Sequence, residues 1–359
     1  QSAVKADKLQ YRLSRLEKAT WQETTFVWKK RMPQNLRIKD RNGLPASSND
    51  RANILADHLQ DNQWAKTTLP SAPRITYGDN PLSQPPEINC EDYTLEEFHA
   101  AIESSKPRKT PGPDQIPADH WKLLDNDNRK HLLDAINSFA NSGILPESLK
   151  LANVVLIHKK GRLDDPGNYR PISLLDSILK VYCIMLRIRI QDGVEHLLHE
   201  EQYGFRPKRS TSQPLFTLRR LAEIAEEGQI PSVIAFLDWE KAFDSLSHHA
   251  LFRILERMRF PKQTIDQIKA IYEGPLFKVL DPNGNSDTHH QHQGIRQGCT
   301  ISPYLFNLVM HTLIHDTNRL AGRGGISRLS EVINTSFILY ADDTAVIGGP
   351  SSVNVNIHA

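Results

Sequence analysis

Carboxylates placed where apolar strands give out are what most limits the fold of this chain. Ser232-Val-Ile-Ala-Phe-Leu237 reads as a buried-type strand ending on Asp238. Phe337-Ile-Leu-Tyr340 and Thr344-Ala-Val-Ile347 read as two short strands joined through Ala341-Asp-Asp343. An acid in such a place is costly unless it is hydrogen-bonded, paired or bound to a cation. The sheet must therefore deliver these residues to an end where water, a partner or a metal can meet them. Hard oxygen ligands suit Mg²⁺, which takes one or two carboxylates together with substrate phosphates. Two such ions can stabilise both oxygens of a phosphoryl displacement. An Asp-Asp pair in a hairpin, taken alone, reads as ordinary turn acids.

The rest of the pattern is mixed. A basic amphipathic helix is expected over Ala6–Arg31, a short strand at Arg37–Gly43 and a helix from about Asp50 to Trp64; Pro70–Asn89 reads as a linker. Thr94-Leu-Glu-Glu97 is a capping box that opens a helix, and Gly143 stops another that begins near Arg129. A strand at Asn153–His158, a turn and a return over Asn168–Leu174 lead into a helix to about Leu198, with Ile178, Val181 and Met185 on one side. A helix follows from Thr211 or Ser212 to Gly228, and another near His249–Arg259. Pro282-Asn-Gly284 marks a hairpin, and Ser302-Pro303 starts a long apolar helix. Helices and antiparallel hairpins without βαβ regularity predict an α+β fold. The boundary falls at the linker, giving a helical extension over 1–90 and a larger domain over 91–359 with its core at about 147–359.

Composition removes several function classes. The longest apolar runs are far shorter than the ~18 residues of a membrane span. Three scattered cysteines, Cys90, Cys183 and Cys299, exclude a disulfide framework and fit a reducing compartment. The first residues lack the features of a secretory signal. The net charge is only +2, yet residues 147–220 carry 13 Lys/Arg against 8 Asp/Glu, either a phosphate footprint or a solvated helix face. His289, His290 and His292 read as an exposed hairpin strand rather than a metal site.

The acids keep specific company. Asp238-Trp-Glu-Lys-Ala-Phe-Asp244, Gly294-Ile-Arg-Gln-Gly298 with Ser302-Pro303, and Tyr340-Ala-Asp-Asp343 follow one another in that order. Upstream stand Gly112-Pro-Asp114, Asn168-Tyr-Arg-Pro-Ile-Ser173 and Gln202-Tyr-Gly-Phe-Arg-Pro-Lys-Arg-Ser-Thr211. Each block alone is a weak or moderate signal; the ordered set is specific. It resembles the reverse transcriptases of non-LTR (LINE-type) retrotransposons over about residues 91–359. A weaker resemblance over 20–70 is to the region between endonuclease and polymerase.

The resemblance implies a right-hand polymerase, here fingers and partial palm without a thumb, that adds dNTPs to a primer 3′-hydroxyl. The template would be RNA, the primer or target DNA, and the cofactor two Mg²⁺ ions, for which Mn²⁺ can substitute. Asp238 and Asp342 look like the metal-binding aspartates, with Asp343 as a less strictly coordinating partner. Phe243 matches the position that blocks a ribose 2′-hydroxyl, and Gln297 and Gly298 match the motif lining the nascent base pair. Gly298 would allow backbone to approach substrate closely. Lys159, Lys160 and Arg170 lie on the hairpin that covers the triphosphate in this family. Arg206, Lys208 and Arg209 resemble its template-side basic motif, and Tyr340 would sit beneath the acidic turn near the primer end.

The chain stops 16 residues after Asp343, so the thumb, the endonuclease and the Cys/His-rich tail of the family are expected in the rest of a longer polyprotein. Such an element implies an intracellular, nuclear setting. Two alternatives stay open: a catalytically inactive nucleic-acid-binding fragment, and a group II intron maturase-like reverse transcriptase. An RNA-dependent RNA polymerase fits less well, because Tyr-Ala-Asp-Asp and Phe243 argue against an RNA product.

Overall fold

A computed structural model of the chain describes residues 38–40, 43, 46–47, 50–66, 79–321 and 337–348. The amphipathic helix expected over Ala6–Arg31, and most of the linker, lie outside them. The first described helix, α1 (Arg51–His58), runs directly into a π-helical turn at Leu59–Gln63. Next come α2 (Leu95–Ser104) and α3 (Asn126–Ser142). The Thr94–Glu97 capping box is formed in both directions, and Gly143 ends α3 in the left-handed region that glycine enters freely.

The hairpin of β1 (Leu151–His158) and β2 (Tyr169–Leu174) leads into α4 (Ser177–Val194). After α5 (Ser212–Glu227) and β3 (Val233–Leu237) come α6 (His248–Arg257), α7 (Lys262–Tyr272), β4 (Leu276–Val279) and the short β5 (His289–His290). The described chain closes with α8 (Ser302–Ala321), β6 (Phe337–Tyr340) and β7 (Asp343–Gly348). This is the expected α+β arrangement, with two sheets. One is mixed, in the order β2-β1-β4-β5, with β1 and β4 parallel; the other is antiparallel, in the order β3-β7-β6.

Three apolar clusters join these layers. The largest is centred on α4, where Leu179, Val181, Tyr182, Cys183, Ile184, Met185, Leu186, Ile190 and Val194 are all buried. A helix that is apolar nearly all round is a core helix; the expectation of a single buried side understated it. A second cluster lays Leu55, Ala56, Leu59 and Trp64 on Val154, Tyr169, Phe277 and Val279 of the mixed sheet. Residues 50–66 therefore pack on that sheet directly, and Arg51 pairs with Asp281 beyond β4. In the third, Leu221 of α5 covers Ile338, Ala345 and Ile347 on one face of the antiparallel sheet.

One strand departs from expectation. β3 is an edge strand rather than a buried one, pairing only with β7 among the described residues, and Phe236 is 74% exposed. An apolar run does not reveal how many neighbours a strand will have.

Candidate active site

The antiparallel sheet brings the acids to one end. Leu237 stands opposite Thr344 in the β3–β7 register and Tyr340 opposite Asp343 in the β6–β7 register. Asp238, the next residue beyond β3, thus emerges beside the Ala341-Asp342 turn. Asp238 and Asp343 are exposed and Asp342 is half-buried. Among the described residues, no cation pairs with these three carboxylates.

Two devices hold this end together. Trp239 donates its indole N–H to Thr344 Oγ1 (3.0 Å), and that hydroxyl donates to the Asp342 carbonyl (3.3 Å). The loop after β3 is thereby tied to the turn. On the other side, segment 201–204 runs alongside β6, with Tyr203 N–H donating to Leu339 O and Leu339 N–H to Glu201 O. The buried Gln202 side chain grips the turn itself: its Oε1 accepts from Ala341 N–H (3.0 Å) and from Gly204 N–H (2.8 Å), and its Nε2 donates to Ala341 O (3.2 Å). A Cβ on Gly204 would lie 2.2 Å from the Ala341 nitrogen, so only glycine fits there. Ala341 is held at φ +58°, a left-handed conformation costly for alanine.

The expected nucleotide-side residues fall in two groups. Lys159 and Lys160 are exposed at the tip of the β1–β2 hairpin, and Arg170 is exposed opposite Ile157. Phe243 lies in a one-turn helix (Ala242–Ser245) after Asp238, stacked on Phe306 at 4.7 Å and edge-on to the half-exposed Phe205 at 6.1 Å. Gln297 donates Nε2–H to Asp244 Oδ2 (2.8 Å), while its carbonyl accepts from Ser173 N–H of β2 (2.7 Å). At Gly298 the reason for glycine changes. φ is +125° and a Cβ would meet Ser173 O at 2.3 Å, so its own β2 backbone excludes a side chain here.

The basic segment after Gln202 divides. Lys208 is exposed, whereas Arg209 is half-buried, stacked over Tyr203 and donating to Glu200 O. Arg206 is a correction to the template-side expectation. It is buried, paired with Glu195 (2.7 Å), and its remaining donors go to the carbonyls of Glu195, His199 and Gln202. A guanidinium spent in this way supports the loop instead of reaching out of it. Tyr340 is half-buried opposite Asp343, and His289 and His290 form β5, with His289 bonded to Asp57.

Asp244 carries no role in the sequence reading, yet it is the most enclosed acid of the site, 2% exposed. Burial pushes its carboxyl up from the ordinary value, and hydrogen bonds from Trp64 and Gln63 pull back against that. Gln202, Trp239 and Asp244 were visible only as members of ordered motifs; nothing local signals what their side chains reach.

The donor set suits a divalent ion in kind. Among the described residues no three His, Cys, Asp or Glu converge to hold a metal alone. Mg²⁺ needs only one or two protein carboxylates when phosphates and water complete its shell, and uncompensated acids at one sheet end meet that requirement.

Comparison with known proteins agrees with the ordered motifs. The family described as "Reverse transcriptase (RNA-dependent DNA polymerase)" matches residues 157–353, more than half of the chain. The RNA-directed DNA polymerase from mobile element jockey of Drosophila funebris is 27% identical over 306 residues, covering 84% of this chain and 32% of that protein. The probable RNA-directed DNA polymerase from transposon X-element of Drosophila melanogaster is 25% identical over 323 residues, covering 88% and 35%. The Pol polyprotein of the type-2 retrotransposable element R2DM, also from Drosophila melanogaster, is 27% identical over 253 residues, covering 67% and 24%. The chain spans about a third or less of the length of these relatives.

Proposed function

Because this chain belongs to the reverse transcriptase (RNA-dependent DNA polymerase) family, we propose that it is the fingers and partial palm of a non-LTR retrotransposon polymerase. The reaction is addition of dNTPs to a primer 3′-hydroxyl on an RNA template. The observation that carries this reading is the strand register that sets Asp238 beside the Asp342-Asp343 turn.

The family uses divalent metals, and Asp238 and Asp342, with Asp343 beside them, are the residues that would hold two Mg²⁺ or Mn²⁺ ions. Metal held there would supply activation of the attacking hydroxyl and neutralisation of charge on the triphosphate. The chain's own residues do the positioning, which supplies much of the rate in phosphoryl transfer. Phe243, backed by Phe306, presents an aromatic wall to the sugar and selects against a 2′-hydroxyl. Exposed Lys159, Lys160 and Arg170 bind the triphosphate; Arg supplies a planar fork of donors. Lys208 and Arg209 track the template backbone, a contact that is salt-dependent and largely sequence-independent. Among the described residues no helix is long and apolar enough to cross a membrane, and action on chromosomal DNA in the nucleus follows from the same reading.

Primer extension by residues 1–359 on an RNA template with Mg²⁺ and dNTPs tests this, beside a chain carrying Asp342→Ala and Asp343→Ala. Extension that the double variant abolishes is expected. Extension that survives in the double variant overturns the site, and no extension by the intact sequence overturns autonomous activity.

A further inference from the structure

Asp244 is a buried carboxylate to which three neutral side chains donate. Trp64 Nε1–H reaches Oδ1 at 3.0 Å, while Gln63 Nε2–H and Gln297 Nε2–H both reach Oδ2 at 2.8 Å. No arginine or lysine forms an ion pair with it among the described residues. The donors come from two regions far apart in sequence, the π-helical turn after α1 and the Gln297-Gly298 turn.

The backbone around Asp244 is zipped to the same turn. Ile295 N–H donates to Phe243 O (2.8 Å), and Gly294 N–H to Leu246 O (2.7 Å). Gly294 sits at φ +82°, and a Cβ there would lie 2.6 Å from Asp244 O. The one-turn helix with Phe243 and the segment 294–298 thus move as one piece. Their backbones are joined directly, but among the described residues the Gln297 side chain is anchored only through Asp244. With one N–H committed to a carboxylate, the carboxamide cannot flip without placing its own oxygen against Asp244, a buried acceptor–acceptor contact that costs the full hydrogen bond.

We propose that Asp244 is a positioning residue for nucleotide selection: it fixes the direction in which Gln297 presents its carboxamide, and Gln63 and Trp64 complete the carboxylate's own shell. The inference rests on the reading of Gln297 as part of the nascent-pair lining. It extends the polymerase site to residues ahead of the family match at 157–353. The segment around α1 then belongs to the nucleotide-selecting apparatus and is more than a connector.

Two mild variants of 1–359 test it, Trp64→Phe and Gln63→Met. Each removes one donor and keeps the bulk; Phe preserves an aromatic edge on Phe277, which Trp64 meets at 4.8 Å. Two readouts are taken. Amide hydrogen exchange without substrate is expected to quicken roughly tenfold across 294–299 and far less across α4, as the loss of one hydrogen bond to a charged group implies. In primer extension, KM for dNTP is expected to rise roughly three- to tenfold, with a smaller fall in kcat. Unchanged exchange at 294–299 in both variants overturns the proposal. So does exchange that quickens equally everywhere, or a fall in kcat with KM constant, since a merely structural contact would do that. If 1–359 itself extends no primer, autonomous polymerase activity fails, and the exchange measurement alone still decides whether Gln63 and Trp64 order Gln297.

Discussion

Asp342 and Asp244 belong to the same candidate site and are treated in opposite ways. At the acidic end of the antiparallel sheet, Asp238, Asp342 and Asp343 lie at or near the surface without cation partners among the described residues, while the backbone beneath them is gripped by Gln202, Gly204 and Trp239. At the junction of the two sheets, Asp244 is enclosed and its acceptor positions are taken up by Trp64, Gln63 and Gln297. The first arrangement fixes the main chain and leaves the charges available; the second consumes the charge to fix other side chains. Carboxylates of the first kind should matter to chemistry and little to folding; one of the second kind should matter to folding and reach the chemistry only through the side chains it holds.

The sharpest division comes from Asp342→Ala. Primer extension should fall by roughly a thousandfold or more, a barrier increase of about 4 kcal/mol. The urea midpoint should stay within error, because among the described residues the Asp342 carboxylate has no hydrogen bond or ion pair to lose. Asp244→Ala should instead cost about 3 kcal/mol in urea unfolding, by leaving the buried Gln63 and Trp64 donors and the half-buried Gln297 donor without an acceptor. If both variants lost stability equally, the contrast would be broken.

Arg206 and Lys208 repeat the comparison with cations. Arg206→Ala should destabilise by about 2–3 kcal/mol, since it strands Glu195 and several carbonyls. Lys208→Ala should leave the melting temperature alone and reduce the slope of log affinity for RNA against log salt by about one. A filter-binding titration at several salt concentrations distinguishes them.

The interior also sets the response to acid. Burial, helped by neighbouring His199, holds His311 down at about 3. Its Nδ1 accepts from His199 N–H, and its Nε2 faces Pro81 O, so the neutral ring is built in. Folding keeps this imidazole neutral where an unfolded chain would protonate it, so its contribution is whole above pH 6.5 and is lost as pH falls below that. By pH 5 the loss should be about 2 kcal/mol, and His311→Gln should flatten the pH dependence of the urea midpoint by that amount. The smallest effect is expected at the turn, where Ala341→Gly relieves the left-handed strain and should add about 0.5–1 kcal/mol.

Elements whose cause is local were legible from sequence. Thr94 and Glu97 satisfy each other within one turn, Gly143 needs only its own φ, and the β1–β2 hairpin is contiguous. The order of motifs also singled out Asp238 and Asp342, which the strand register sets at one sheet end. What escaped was the destination of side chains across the fold. A run such as Val233–Leu237 does not say whether it will be central or at an edge, and Arg206 looks like any surface arginine until Glu195 is folded against it. Asp244 reads as one more acid in an acidic stretch, because its donors Gln63 and Trp64 arrive from a segment far upstream.

The parallel pairing of β1 with β4 carries a cost in time. Leu151 finds Leu276, and Val154 finds Val279, across more than a hundred intervening residues. On a ribosome the β1–β2 hairpin waits on the order of ten seconds for its neighbour to be made, with one backbone edge unpaired throughout. Such an edge invites another chain. Nascent copies translated close together on one message would meet there first, so yield in cells should fall more steeply with expression rate than with any change at the acidic end.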